Sequence, residues 1–364
     1  MGKVCTFSKG YGISKENLSN DGTPCILYGE LYTTYKTAIA KNIKSKTSLD
    51  STILFHSKKN DVIIPCSGET AEDIATSVCI PYDDILLGGD LTVIRSDLDG
   101  AFLSNQINSV RKYDIARIAQ GKSIVHLQAD ELKKISIAYP TIDEQQKISG
   151  FIDKIDERIE VQNKIISKYE TLIKGIRHRV FGSICGEKQS SLGSFLEEYS
   201  EKNVANNLQS VAVGKYGIRK REEIYSKELS ADYSKNKVIR KNTLIIGMGS
   251  TQIDIGILTT DDCYCVSPAY TTYRIKGVNS FYLQEYLIEL NPLLSVRYMI
   301  TSARQGKAVN KEDLMKHLMT IHSENEQKEI CKCFENLYSR LQIEKEMLSA
   351  LQKQKAFLLQ SMFI

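Results

Sequence analysis

The stretch YPTIDEQQKISGFIDKIDERIEVQNKIISKYETLIKGIRHRVF, residues 139–181, decides the fold because it occurs twice. The second copy, IHSENEQKEICKCFENLYSRLQIEKEMLSALQKQKAFLLQSMF, residues 321–363, follows at a constant offset of 182 positions with no gap. Only six positions are identical: Glu144/Glu326, Gln145/Gln327, Ile148/Ile330, Arg158/Arg340, Ser167/Ser349 and Phe181/Phe363. What repeats is a spacing. Steps of four and three from Ile148 reach Ile152, Ile155, Ile159, Gln162, Ile166, Tyr169, Ile173, Ile176 and Val180. The same steps from Ile330 reach Phe334, Leu337, Leu341, Glu344, Leu348, Leu351, Lys355, Leu358 and Met362. An apolar period of about 3.5 residues held this long is the pattern of helices that wrap around each other. Gln162 and Glu344 interrupt it at equivalent positions, either as residues tolerated at a solvated seam or as polar pairs that fix register. Lys355 is a second interruption, without a counterpart in the first copy. Thr141 with Glu144, and Ser323 with Glu326, have the spacing of a helix-start capping box.

The repeat extends outward. LTVIRSDLDGAFLSNQIN (91–108) precedes the first long helix and TTYRIKGVNSFYLQEYLI (271–288) the second. Each reads as a strand, a turn, then an amphipathic helix opening near Phe102 or Phe281. Between that helix and the long one stand AQGKSIVHLQADELKKISI (119–137) and RQGKAVNKEDLMKHLMTI (304–321), sharing a Q-G-K loop. The fronts are less alike. Short apolar runs at 51–56, 61–66 and 77–80, and at 242–249, 255–260 and 263–275, predict strands. The expected fold is therefore α+β. Two mixed globules, 1–138 and 187–320, alternate with two long helices, 139–186 and 321–364, that pack as an antiparallel coiled coil with pseudo-two-fold symmetry.

The chain has 364 residues, long enough for two domains with cores, and a sequence pI of about 8.4, compatible with nucleic acid without requiring it. Nine cysteines are scattered without a C-x-x-C pair, which predicts reduced thiols rather than a disulfide framework or zinc site. No run of about 18 apolar residues and no signal-peptide core occur, so a soluble, cytoplasmic protein with no membrane partner is expected.

Catalytic patterns are weak. Residues 116–123, ARIAQGKS, fit a relaxed phosphate loop, but its second copy has Ala308 where a magnesium-binding hydroxyl is needed. The five histidines are dispersed, and His317 and His322 lack a third ligand. Gly247 and Gly249 predict a bulge or a close approach. Asn291-Pro292 continues as Leu-Leu and marks a helix end rather than a methyltransferase tetrapeptide. No nuclease cluster is recognisable. No metal and no cofactor are expected in this chain.

Basic and aromatic side chains cluster instead. From Lys215 to Lys241 they include Tyr216, Arg219, Lys220, Arg221, Lys235, Lys237 and Arg240. Lys36 and Lys41 begin a similar stretch. Arg111 and Lys112 follow the helix after Asp99, and Lys122, Arg304 and Lys307 lie in or beside the repeated loop. Such residues suit phosphate contacts, with Arg able to read guanine, although a solvated charged face has the same composition.

This arrangement, carried by IAYPTIDEQQ and the heptads of both long helices, by L192-G-S-F and by S267-P-A-Y270, resembles the specificity (S) subunit of Type I restriction–modification systems over nearly the whole chain. His322 stands where that family usually has proline. Met1-Gly2-Lys3-Val4 aligns with Leu192-Gly193, implying little or no N-terminal extension. The resemblance implies two target recognition domains, each reading half of a split double-stranded DNA target. The long helices would serve as antiparallel spacers, and two modification (methyltransferase) subunits would dock. Those partners would hold S-adenosylmethionine and methylate a flipped-out adenine, and a motor-nuclease restriction subunit could join. The chain itself would be non-catalytic. From Ile148 to Val180 a helix rises about 50 Å, at ~1.5 Å per residue, against roughly 34–36 Å for one turn of DNA. The isoleucines of the first helix follow a parallel-dimer preference, which the connectivity overrides. Two rivals remain open: a stand-alone DNA-binding or coiled-coil interaction protein, and a nucleotide-binding protein using Lys122.

Overall fold

The computed structural model describes residues 1–121, 124–182, 189–214, 217–221, 232–302 and 306–363. They form two compact units, the first from Met1–Ile165 with Glu344–Ile364, the second from Ile166–Ile343.

In the first unit, strands β1 (Cys5–Lys9), β2 (Asp61–Pro65), β3 (Val78–Ile80) and β4 (Leu91–Ser96) form an antiparallel sheet in the order β1-β4-β2-β3. Its alternating side chains are buried on both faces. Val62, Ile64 and Ile94 join a core with Leu103 and Ile107 of helix α1 (Gly100–Asn108). Ile63, Val93 and Ile80 join a second core with Ile26, Leu31 and Leu87. The Asp99 side chain accepts from the Phe102 amide and caps α1. Helix α2, Ile142–Phe181, follows.

The second unit repeats that plan. Strands β5 (Leu196–Tyr199), β6 (Val211–Gly214), β7 (Gly217–Lys220), β8 (Thr243–Met248), β9 (Ile253–Leu258) and β10 (Thr271–Ile275) come first. The sheet runs β5-β10-β8-β9, antiparallel throughout. In both of these sheets the first strand therefore pairs with the one that leads into the capped helix. The fronts share a topology that their residues do not advertise. Hairpin β6–β7 packs over the sheet, with Val211, Val213, Ile245 and Leu258 in one core. Helix α3 (Ser280–Tyr298) follows, capped by Asn279, which accepts from the Phe281 and Tyr282 amides. Next come hairpin β11 (Met299–Ser302) and β12 (Gly306–Val309), then helix α4 (Glu324–Met362).

At the start of α4 the expected capping box is complete, the Glu326 amide donating to Ser323 Oγ at 3.4 Å, and at the start of α2 its glutamate half is present. Glu144 accepts from the Thr141 amide and hydroxyl, and Glu326 from those of Ser323. Their glutamine neighbours do something composition does not announce. Gln145 Oε1 accepts from the Asp99 amide at 3.0 Å while its Nε2 donates to Pro140 O. Gln327 accepts from the Asn279 amide at 3.1 Å and donates to His322 O. In each unit a buried glutamine thus ties the cap of the globule's helix to the entry of the long helix. The repeated Glu-Gln pair is one capping residue and one clamp. The apolar stripe behaves as its spacing predicts: every position of it in both helices is buried or half-buried.

Two expectations fail. The run 51–56 is not a strand. Asp50 accepts from the Thr52 amide and turns 51–53 into a 3-10 helix, leaving Ile53 68% exposed. Pro292 does not end a helix but lies inside α3. A proline there removes one helical hydrogen bond, a cost of about 3 kcal/mol in an unsupported helix. Here the flanks are pinned to β9: Asn291 Nδ2 donates to Ile253 O, and the Ile253 amide donates to Ser295 Oγ.

Candidate nucleic-acid interface

Three hairpins of the second unit converge. Ile218 of β7 lies over Gly256 of β9, where an added methyl would come within 2.8 Å of the isoleucine. The turn between β8 and β9 is held by β12, because Lys307 Nζ donates to Ser250 O. Tyr270 reaches across Gly247, its ring filling the space a side chain would need, and donates to Val213 O at 3.1 Å. The close approach anticipated at Gly247 is thereby explained. Hairpin β6–β7 is thus fastened to the sheet beneath it, and its outer strand presents exposed Arg219 and Lys220, followed by half-buried Arg221. A cleft beneath that strand is lined by Arg219, Lys220, Thr260, Asp262, Gln284 and Asn291.

Three further basic residues of the run have partners within the unit: Lys237, Arg240 and Lys241. Arg240 makes a two-pronged pair with Glu201 at 2.6 and 2.8 Å. Lys241 pairs with Asp261 at 2.9 Å, and Lys237 donates to Tyr270 O. Lys215, Tyr216 and Arg304 lie outside the described residues, as does Lys122 in the first unit.

In the first unit Lys36 Nζ donates to Tyr32 O at 3.2 Å. Lys41 reaches α2 instead, pairing with Asp153 at 2.6 Å and Glu157 at 2.9 Å. Burial opposes its charge, but hydrogen bonds to both carboxylates hold the ammonium above the usual lysine range. Arg111 sits 3.6 Å from Asp114, and Lys112 opens the helix Lys112–Ile118. That helix bears on the phosphate-loop reading. A phosphate loop needs a strand before it and a helix after it. Here a helix ends at Ile118, Gly121 has φ +139°, and the strand Val125–His126 follows. The order is reversed. His317 and His322 are each bonded to a tyrosine, Tyr298 and Tyr282 respectively, and no metal-holding group of side chains occurs among the described residues. No described helix is long and apolar enough to cross a membrane.

Three polar groups escaped the reading of the sequence. Besides the two clamping glutamines, a buried triad joins α2, α3 and α4 inside the second unit. Arg177 Nη2 and Nε donate to Glu285 Oε2 at 2.8 and 3.0 Å, and Tyr338 OH donates to the same carboxylate at 3.1 Å. Burial, then the neighbouring Glu285 charge, pushes the Tyr338 hydroxyl up to about 12. Only the identity of Gln145 with Gln327 signalled any of these in advance.

Comparison with known proteins agrees with this architecture. Residues 1–171 match the family described as Type I restriction modification DNA specificity domain. Among solved structures, the Type I restriction–modification S subunit from M. genitalium is similar over 100% of this chain and 94% of its own, at 16% identity and a TM-score of 0.61. A chain from a structure describing complex assembly and conformational transition of the type I R-M system is similar over 99% and 95%, at 16% identity and a TM-score of 0.60. At such identities the structural likenesses establish the fold. The likeness to the family of Type I restriction modification DNA specificity domains thus rests on residues 1–171, slightly less than half of the chain.

Proposed function

We propose that this chain is the sequence-reading subunit of a Type I restriction–modification complex. Each globule reads one half of a split DNA target, α2 and α4 pack antiparallel as the spacer, and two modification subunits dock and supply the methylation chemistry. In this reading 1–138 and 187–320 are the two target recognition domains, and 139–186 and 321–364 are the spacers. The observation that carries the reading is a set of mirrored contacts. Phe181, ending α2, lies 5.4 Å from the Tyr282 ring of α3, and its repeat partner Phe363 lies 5.0 Å from Phe102 of α1. Gln162 donates to Glu344, its own equivalent in the repeat, at 2.6 Å. Under a two-fold operation that exchanges the copies, a residue bonded to its own equivalent lies on the axis. Antiparallel pairing is further supported by Lys355 on Asp156 at 2.5 Å, since one partner's number rises as the other's falls.

Two equivalent docking surfaces imply two partner subunits per chain. The test is methyl transfer. The chain alone should transfer none; with its modification subunit it should direct adenine methylation within one bipartite sequence, read from the methylome of cells expressing both. Transfer by the homogeneous chain, or binding without any need of a partner, would replace this reading with an enzyme or a stand-alone DNA-binding protein.

The basic hairpin supplies a second test. Replacing Arg219, Lys220 and Arg221 with alanine should weaken DNA binding by the assembled complex and flatten its salt dependence. Each phosphate that is no longer neutralised should lower the log–log slope by about 0.9. Unchanged slope and target would make the hairpin a solvated face.

A further inference from the structure

The converging hairpins surround one acidic side chain, that of Asp254. It stands near the start of β9, is paired with Gly247 across the ladder and lies on the same face as Gly256, two residues on. Hairpin β6–β7 covers that face. Ile218 sits over Gly256, and a methyl on Gly214, at the hairpin's turn, would lie 3.9 Å from Asp254 Oδ1. A methyl on Gly249 would lie 2.6 Å from the same oxygen. The absence of a side chain at Gly249 therefore makes the space the carboxylate occupies, and Gly214 lies in ordinary contact distance of it. Strand β7 carries Arg219 and Lys220, and Lys307 braces the β8–β9 turn. Yet Asp254 has no hydrogen-bond or ion-pair partner among the described residues, and burial alone pushes its carboxyl above the ordinary range.

A half-buried anion here works against phosphate attraction, which is the sequence-independent part of DNA binding. What it offers is acceptor capacity. In the major groove, cytosine N4 and adenine N6 are donors, whereas guanine O6 and N7 and thymine O4 are acceptors that a carboxylate repels. Resting on the DNA-reading role proposed above, we propose that Asp254 is a specificity-determining residue of the second globule. Its carboxylate accepts a hydrogen bond from the exocyclic amino group of one cytosine or adenine and rejects guanine and thymine at that position.

The experiment uses the full chain co-expressed with its modification subunit, with methylomes recorded for the unsubstituted protein, Asp254→Ala and the near-isosteric Asp254→Asn. The unsubstituted complex reports on the underlying reading, because it must methylate a split target. The variants then report on Asp254 alone. Asp254→Ala should relax one position of one half-site, with discrimination there falling about 5- to 150-fold and the remaining positions unchanged. The base found at that position identifies the donor. If it is cytosine, Asp254→Asn should shift preference to adenine, which a carboxamide can pair through N6 and N7. If it is adenine, Asp254→Asn should keep the target that Asp254→Ala loses. An unchanged sequence logo with tighter binding to all DNA would reduce Asp254 to a repulsive charge and overturn the proposal. So would an equal loss of methylation at every sequence in Asp254→Asn.

Discussion

Deleting Ile159 to Ile165 together with Leu341 to Met347 should leave both half-site sequences intact and bring them closer together. Each deletion removes one heptad, so the stripe runs on from Ile155 to Ile166 and from Leu337 to Leu348 without changing face. The paired polar residues Gln162 and Glu344 leave together, so neither is stranded. Seven residues at ~1.5 Å each shorten each helix by about 10 Å. On DNA this is roughly three base pairs at ~3.4 Å per step, and about a quarter turn of the duplex. The methylome should show a target with a shorter spacer, at reduced occupancy because the two half-sites now face different directions. Deleting only three residues from each helix rotates the stripe and should destroy packing. If the heptad deletion folds, methylates DNA and keeps the original spacing, the helices are not the ruler, and the docked subunits must hold the domains apart.

Glu285→Leu should be the most damaging single substitution in the second unit. Glu285 has a side chain only 1% exposed and accepts from both Arg177 and Tyr338. Removing it leaves a buried guanidinium without its counter-charge, which typically costs about 3–5 kcal/mol. The double variant Arg177→Met, Glu285→Leu removes both charges and should recover most or all of that loss, because a well-packed apolar replacement is commonly neutral or better. Denaturant unfolding followed by a probe in the second unit separates these outcomes. A Glu285→Leu variant within about 1 kcal/mol of the original would mean that water reaches Arg177 and that the triad is not a buried lock.

The long helices were legible because a period of about 3.5 residues is a physical demand and not a family habit. Burial at Ile152, Ile155, Ile166, Phe334, Leu341 and Leu351 follows from it. Partner identity was not legible. Lys355 reads as a flaw in the stripe until Asp156 is found against it, 199 residues away. The basic run has the same limit. Composition marks Lys220 and Arg240 alike, yet Arg240 is held by a carboxylate 39 residues upstream while Lys220 stands exposed on strand β7. The strand expected at 51–56 failed for a local reason: an Asp cap turned its first half into a 3-10 helix, leaving only Phe55 and His56 to bridge to Leu86 and Leu87. Asp254 gave no signal, since a lone acid in a strand acquires meaning only when a hairpin folds over it.

The two units also differ in when they can be finished. The second is one continuous segment, whereas the first needs Glu344–Ile364 to complete it. On the ribosome, Phe102 is made early but meets Phe363 only after all the intervening chain has been synthesised, and Asp156 likewise waits for Lys355. At synthesis rates of about 5–20 residues per second, that wait is on the order of ten seconds or more. The domain that emerges first is therefore the last to close, and until then the buried edge of α2 next to it, from Ile152 to Gln162, faces the cell without its cover.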